Sequence, residues 1–524
     1  MGTVRNILFI MCDQLRYDYL GCTGHPGIRT PHIDALAKRG VNFSHTFVQA
    51  PVCGSSRMSF YTGRYVFSHG ATYNGVPLNI GEQTLGDHLR RAGITTGLIG
   101  KTHMAPDRDN MGRLGISPTS NEGVLASQCG FEPWERDDGL HPDELTDPNL
   151  AYNRFLREQG YEGDNPWHTA ANSGRDADGT LQSGWFLRNA HLAAEVKAEH
   201  SETAYMTNRA MEKVSDLGDQ PWCLHLSYIK PHWPYMAPAP YHAMYGKQDI
   251  LPANRTDAEK AAPHPVVQAF MAHEESRNFS DEAKRRHVIP AYMGLISEID
   301  DNIGRLMAFL DQQGRLDDTL IVFTSDHGDY LGDHWLGEKE LFHEESVRIP
   351  LIVVDPSAAA DATRGTTDPR LVEAIDLVPT FTDYANLPDQ PHLLEGRSLR
   401  PLIQGEDVPI WRSAVFSEVD YAWRGARLSL GLQPDQTRAY MVRSDQWKYI
   451  SFDGFMPQLF DLQADPHEQQ DLGVDPAYGT IREAFEAELS RWIRARKTRI
   501  TVSHEQIEQK TDNARDRGIY FGVW

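Results

Sequence analysis

Asn6-Ile7-Leu8-Phe9-Ile10-Met11-Cys12-Asp13, close to the start of the chain, holds an apolar run that stops on a carboxylate. A short run without alternation predicts a strand buried on both faces, as in a parallel sheet. Trp222–Tyr228 and Thr319–Thr324 read the same way, with Thr95–Ile99 and Ile349–Val354 as further strands. Helices are expected between them. Thr30-Pro31 opens one through Lys38 that Gly40 closes; Glu82–Ala92 ends at Gly93; Val372–Ala385 is another. Asp281–Gln313 carries Ile296, Ile299, Ile303, Leu306 and Leu310 at helical spacing and stops at Gly314. Strands alternating with helices predict an α/β fold with a large, mostly parallel central sheet flanked by helices. Ligands in such sheets bind beyond the carboxyl ends of the strands. Asp13, Lys101, His232 and Asp326 each follow a predicted strand, four polar groups that only the fold could bring together.

The 524 residues exceed one ordinary core and predict one large unit with a smaller one. Residues 104–220, rich in Asn, Asp, Gly and Pro, are expected to form long loops and short helices over the site. After about residue 395 the pattern shifts. Ser413–Ser417, Ala439–Arg443 and Trp447–Phe452 predict short antiparallel strands, and Arg482–Arg496 a final helix. The expected division is 1–395 for the catalytic α/β part and 396–524 for a C-terminal α+β subdomain with its tail. The apolar ending Tyr520-Phe521-Gly522-Val523-Trp524 suggests docking on another subunit, in a dimer or tetramer.

Hydrophobic residues make up 40% and the net charge is −22, which argues against nucleic acid and anionic membranes as partners. No apolar run approaches the ~20 residues of a membrane span. The first apolar stretch is short, runs into Asp13 and lacks a cleavage site, so a cytoplasmic location is expected. Five cysteines without a C-x-x-C pair fit reduced thiols. Four are expected to pack as small hydrophobes; Cys53 has a different setting.

Cys53-Gly54-Ser55-Ser56-Arg57 is continued by Thr62-Gly63-Arg64. A helix starting here would place the thiol at backbone N–H groups with Arg57 one turn on, which lowers a thiol pKa or steadies an anion. By itself the pattern reads better as a buried Cys beside a surface Arg. Asp326-His327 at a strand end can ligate a divalent metal, with Asp13 supplying another oxygen. Gly100-Lys101-Thr102-His103, Lys230-Pro231-His232 and Lys339 add cations and imidazoles at the same predicted edge.

In this order the motifs resemble the sulfatase family of the alkaline-phosphatase superfamily, including the phosphonate monoester hydrolases. Leu459-Phe460-Asp461-Leu462 and Asp465-Pro466-His467-Glu468 fit as well. The resemblance implies that Cys53 is oxidised to formylglycine by a formylglycine-generating enzyme. The hydrated aldehyde attacks the ester and passes through a covalent sulfo-enzyme state. It implies one divalent metal held by Asp13, Asp326, His327 and residue 53. Gln14 and His327 replace the Asp and the Asn or Gln of many sulfatases, which favours Mn²⁺ over Ca²⁺. It implies further that Arg57 faces the transferred group and that Lys101 and Lys339 bind substrate oxygens. His103 takes a proton, His232 assists the leaving group, and Asn74 lies on the substrate side. Lys101 and His103 match sulfatases, whereas Gln14 and His327 match phosphonate hydrolases, which carry Tyr and Thr at 101 and 103. The activity implied is therefore arylsulfatase-type hydrolysis of a small anionic ester. Phosphonate monoester or phosphodiester hydrolysis is the second reading. A non-catalytic protein is the third, because Ser55 stands where the modification motif has Pro or Ala. Trp167, Trp185, Trp233 and Tyr235 are candidates for an aryl pocket.

Overall fold

A computed structural model describes residues 4–142, 147 and 149–520. The tail expected to dock on another subunit falls largely at 521–524, outside the described residues.

The strands in chain order are β1 (Asn6–Asp13), β2 (Val41–Phe47), β3 (Thr95–Gly100) and β4 (Glu132–Arg136). A small hairpin, β5 (Ser173–Arg175) with β6 (Leu181–Ser183), comes next, then β7 (Trp222–Pro231) and β8 (Thr319–Ser325). They are followed by β9 (Arg348–Ile349), β10 (Leu351–Val354) and β11 (Thr366–Glu373). Nine of these form the central sheet in the order β11-β2-β10-β8-β1-β7-β3-β4, with β9 paired to β2. Neighbours from β8 to β4 all run parallel; β10 is antiparallel to both its neighbours. β1, β7 and β8 are buried along their whole length, as continuous apolar runs require. The predicted α/β fold with a mainly parallel sheet is therefore present.

β8, β1, β7 and β3 are consecutive in the sheet and parallel, so their carboxyl ends share one edge. Asp326, Asp13, His232 and Lys101 lie along that edge. Gly100 shows how tightly the edge is built. Its φ is +101°, and a Cβ there would stand 1.9 Å from the Ser227 carbonyl oxygen of β7.

The long helix spans Glu282–Gln312, and the Asp281 carboxylate caps it by accepting the N–H groups of Ala283 and Lys284. The expected Glu82–Ala92 helix begins later, at Leu85, because Thr84 and Asp87 form a reciprocal cap. Three readings need correction. Val372 and Glu373 extend β11, pairing with Thr46 and Phe47 of β2, and the helix begins only at Leu377; sheet pairing overrides local helical pattern there. β2 and β4 were not anticipated. Residues 202–217 form a sixteen-residue helix where loops and short helices were expected, with Ala204, Met206, Ala210 and Val214 buried.

A second sheet of four antiparallel strands follows: β12 (Val415–Asp420), β13 (Arg438–Arg443), β14 (Trp447–Phe452) and β15 (Gln458–Asp461). Its apolar residues Met441, Ile450 and Phe460 join the same core as Phe9 and Phe47 of the large sheet. A buried ionic network also links the two. Lys448 of β14 sits 2.6 Å from Glu468 and 3.0 Å from Glu344, and donates to the Phe342 carbonyl. His334 lies 2.6 Å from Glu259 and 3.4 Å from Glu345. This network braces residues 334–345, the segment that carries Lys339.

Two outcomes follow. Gly100→Ala should lose about 3 kcal/mol of stability in urea titration, from positive-φ strain and contact with β7. Burial opposes charge on His334, but Glu345 and Glu259 outweigh it and push the ring up to about 10 from 6.5. The folded state therefore holds a proton that the unfolded state releases. The contribution is complete below pH 6.5 and is lost as pH rises toward 10. Thermal melts across pH 6.5–10 should fall more steeply for the native chain than for His334→Gln.

Candidate active site

The helix Cys53–Thr62 follows β2 and is buried at every position although half its side chains are polar. Small residues and specific partners make this possible. Ser56 Oγ donates to the Asp326 carbonyl at 2.5 Å, Ser59 Oγ bonds His69 Nε2 at 2.9 Å, and Thr62 Oγ1 returns to the Met58 carbonyl. Gly54 lets another segment reach the helix start: its N–H donates to Asn74 Oδ1 at 2.7 Å, and a Cβ would lie 2.8 Å from that oxygen.

One turn on, Arg57 is fully buried and spans the sheet edge. Its Nε donates to Asp326 Oδ2 at 2.8 Å, and Nη2 reaches Asp13 Oδ2 at 3.3 Å. Nη1 donates to Ser227 Oγ and to the Lys101 carbonyl, each at 2.7 Å. Asp326, Asp13 and Lys101 lie at the ends of β8, β1 and β3, and Ser227 lies within β7 opposite Gly100, the last residue of β3.

The Cys53 thiol is 1% exposed. Its Sγ lies 3.0 Å from His327 Nε2 and 3.8 Å from Asp13 Oδ1. Burial alone would raise its pKa, but Lys339, Lys101 and His327 outweigh it and hold the thiol well below its ordinary range, with a hydrogen bond from His103. Burial and Cys53 also oppose charge on Asp13, yet Lys101, His232 and Arg57 keep it below the usual carboxylate range. Lys101 Nζ is 2.6 Å from Asp13 Oδ2. Burial disfavours the Lys101 and Lys339 ammonium groups, but Asp13 and Cys53 for the first, and Cys53 and Glu338 for the second, raise both. The group is therefore a compact alternation of opposite charges.

Asp13, Cys53, Asp326 and His327 each offer one ligand atom, and these atoms all lie within 4.8 Å of one another. His327 Nδ1–H donates to the Gly328 carbonyl at 2.8 Å, which turns the Nε2 lone pair inward. Two carboxylates and an imidazole suit a divalent cation of intermediate hardness.

The remaining predicted residues converge on the same place. His232 is buried, bonds Cys53, and fixes Nδ1–H on the Trp233 carbonyl at 2.7 Å; burial holds its pKa down. Asp138 Oδ1 accepts the backbone N–H groups of Thr102 and His103, each at 3.0 Å, and so orients the Lys101–His103 turn. Lys339 Nζ donates to Gln14 Oε1 at 2.9 Å. Gln14 in turn bonds Asp329 Oδ2, which also accepts Tyr235 OH at 2.8 Å.

Sequence reasoning missed Gln14, Asp138, Ser227 and Asp329 as supports of the site. Asp329 lies two residues beyond Asp326-His327, whereas Asp138 had no local signal. Of the aryl-pocket candidates, Trp167 is buried with Nε1 on Glu202, and Tyr235 is spent on Asp329. Trp233 packs its ring against His232, 4.4 Å between centroids, with Trp185 beyond it. Gln14 and His103 have positive φ, 68° and 54°, as do Glu338 and Glu340 on either side of Lys339. Left-handed non-glycine residues concentrated at one site mark backbone held in place by its surroundings.

Residues 5–387 match the family described as Sulfatase, and residues 332–495 match the family described as N-sulphoglucosamine sulphohydrolase, C-terminal. The chain is similar to the multifunctional alkaline phosphatase superfamily protein PehA of Trinickia caryophylli. Identity is 32%, covering 94% of this chain and 95% of that protein. It is 28% identical to an arylsulfatase of Clostridium perfringens over 89% and 90% of the two chains. Among solved structures it is similar to the phosphonate monoester hydrolase of Silicibacter pomeroyi, with a TM-score of 0.83 and 29% identity over 95% of this chain and 98% of that one. The phosphonate monoester hydrolase of Agrobacterium radiobacter superposes with a TM-score of 0.80 and 28% identity over 94% and 96%.

Removing Arg57 would leave two buried carboxylates without their shared partner. Arg57→Met should cost about 3–5 kcal/mol in urea titration. Arg57→Lys should recover only part of it, since an ammonium cannot reproduce the planar fork.

Proposed function

The chain belongs to the sulfatase family, and on that premise we propose that it hydrolyses sulfate monoesters of the aryl type with residue 53 as nucleophile. The observation that carries this is the setting of Cys53: at a helix start, touching His327 and Asp13, with Lys101, Lys339 and Arg57 around it. A site so rich in donors suits a small tetrahedral anion and its transition state.

Asp13, Asp326, His327 and residue 53 would hold one divalent cation, and the imidazole favours Mn²⁺ over Ca²⁺. The cation supplies Lewis acidity, and formylglycine made from Cys53 supplies a hydroxyl nucleophile through its hydrate. The chain's own side chains do the rest. Arg57 holds both carboxylates and the helix in register. Lys101 and Lys339 take the non-bridging oxygens, and Asn74 anchors the start of the nucleophile helix. His103 removes the proton when the aldehyde is restored. His232 hydrogen-bonds the departing oxygen. Small anionic esters fit the rank of groups along this edge, and conversion of Cys53 requires a formylglycine-generating partner.

A second reading has its own support. Gln14 and His327, with the two phosphonate monoester hydrolases among the structural neighbours, favour phosphonate monoesters or phosphodiesters. One site can serve both, because each reacting group is a monoanion.

Comparing kcat/KM for an aryl sulfate and an aryl phosphonate should show a preference for the sulfate with measurable phosphonate turnover; a large phosphonate preference reverses the ranking. The peptide containing Cys53 should have lost a sulfur and two hydrogens and gained an oxygen. An unmodified Cys53 in active protein would sink the nucleophile assignment. Calorimetric titration of chelator-stripped protein should show one Mn²⁺ site, bound about 10-fold or more weakly in Asp326→Asn.

A further inference from the structure

Lys230, two residues before His232, lies outside the ring of groups around Cys53. A lysine is rarely buried, yet this side chain is only 5% exposed. Its ammonium donates to the Pro234 carbonyl at 2.9 Å and to Asn172 Oδ1 at 3.1 Å. The first bond ties Lys230 to Pro234 and so closes a loop with His232 at its centre.

The other polar groups of this loop are committed as well. The His232 N–H donates to the Ile229 carbonyl at 3.2 Å, and the ring Nδ1–H donates to the Trp233 carbonyl. Both hydrogen-bonded ends of the loop must hold for that ring to keep one orientation.

Behind Lys230, Glu202 and Glu298 stand with Asn172 around a cavity of about 10 Å³, room for roughly one water. Glu202 Oε1 accepts Trp167 Nε1–H at 2.9 Å. Glu202 Oε2 and Glu298 Oε1 are buried without a hydrogen-bond partner among the described residues. A buried ammonium needs polar partners, and the two hydrogen bonds to Pro234 and Asn172 supply them, with the two carboxyl groups nearby.

We infer that Lys230 is a positioning residue for His232: held by the Pro234 carbonyl and Asn172, it fixes the loop so that His232 Nε2 meets the departing oxygen. The inference rests on the proposed role of His232 as leaving-group donor. In that step the bond from sulfur or phosphorus to the ester oxygen breaks and its electron pair stays on the oxygen; the doubly protonated His232 ring passes its Nε2 proton there and keeps Nδ1–H on the Trp233 carbonyl. Lys230 touches neither substrate nor metal and acts only through the ring.

The experiment compares the native chain, Lys230→Met, His232→Ala and the double variant on phenyl esters whose phenols span a range of acidity. Folding is checked by thermal melt. Lys230→Met should lose about 10-fold or more in kcat/KM for the least acidic phenol and little for a nitrophenol, reproducing the steepened dependence of His232→Ala. The double variant should lose no more than His232→Ala alone. A uniform loss across the series, or additive losses, would overturn the inference. Asn172→Ala, which removes one anchor and keeps the lysine, is measured in parallel. If Lys230→Met does not fold, an unchanged slope in Asn172→Ala overturns it instead. A native chain that cleaves none of these esters refutes the proposed activity, and the inference is then decided by nitrogen NMR of the His232 ring. A protected Nδ1–H in the native chain that broadens through exchange in Lys230→Met supports it; an unchanged Nδ1–H signal overturns it.

Discussion

Arg57 is the guanidinium on which the sheet edge closes. It reaches Asp326, Asp13, Ser227 and the Lys101 carbonyl, so one side chain ties together four adjacent strands from a helix that belongs to none of them. Removing such a group from water is expensive, and only a near-complete set of partners makes it tolerable. The same partners explain why the carboxylates can stand side by side at full burial. They also explain why the helix around Cys53 tolerates so many polar side chains: beside Met58, Phe60 and Tyr61 in the core, it is clamped to the sheet through ionic and hydrogen-bonded contacts.

The electrostatics invert between the surface and the site. A chain with a net charge of −22 repels anions at long range, where salt screens the field beyond ~10 Å. Within the edge, Lys101, Lys339, Arg57 and the imidazoles dominate at contact distance. Attraction is thus confined to a substrate already at the mouth. The bracing of Lys339 comes from further away. Lys448 and Glu468 grip Glu344 and the Phe342 carbonyl, so the small sheet bears on a cation of the site without touching it.

Much of this was legible in the amino-acid order. Apolar runs ending on Asp13 and Asp326 announced a parallel sheet and its ligand edge, because burial on both faces imposes that pattern. Cys53, Lys101, His103, His232, His327 and Lys339 were picked out by motif and do converge. What escaped was set by distant partners. β2 pairs with β11, which follows it by more than three hundred residues, and nothing local predicts that pairing. Asp138 orients the turn after β3 through two backbone N–H groups, a role that any polar loop residue could have filled. Gln14 was read as a departure from a ligand pattern; in the fold its amide links Lys339 to Asp329. Its positive φ, like that of His103, is imposed by tertiary contacts and leaves no trace in composition.

The 1% exposure of Cys53 has a consequence in time. The thiol touches His327, 274 residues further along the chain. At about 5–20 residues per second, synthesis separates the two by on the order of ten seconds to a minute. Until residue 327 is made, neither Asp326 nor His327 can cover the thiol, and Arg57 lacks a principal partner. Any enzyme that alters residue 53 thus has an open interval while the ribosome is still working. Once the edge shuts, the side chain is committed to whatever chemical form it then carries.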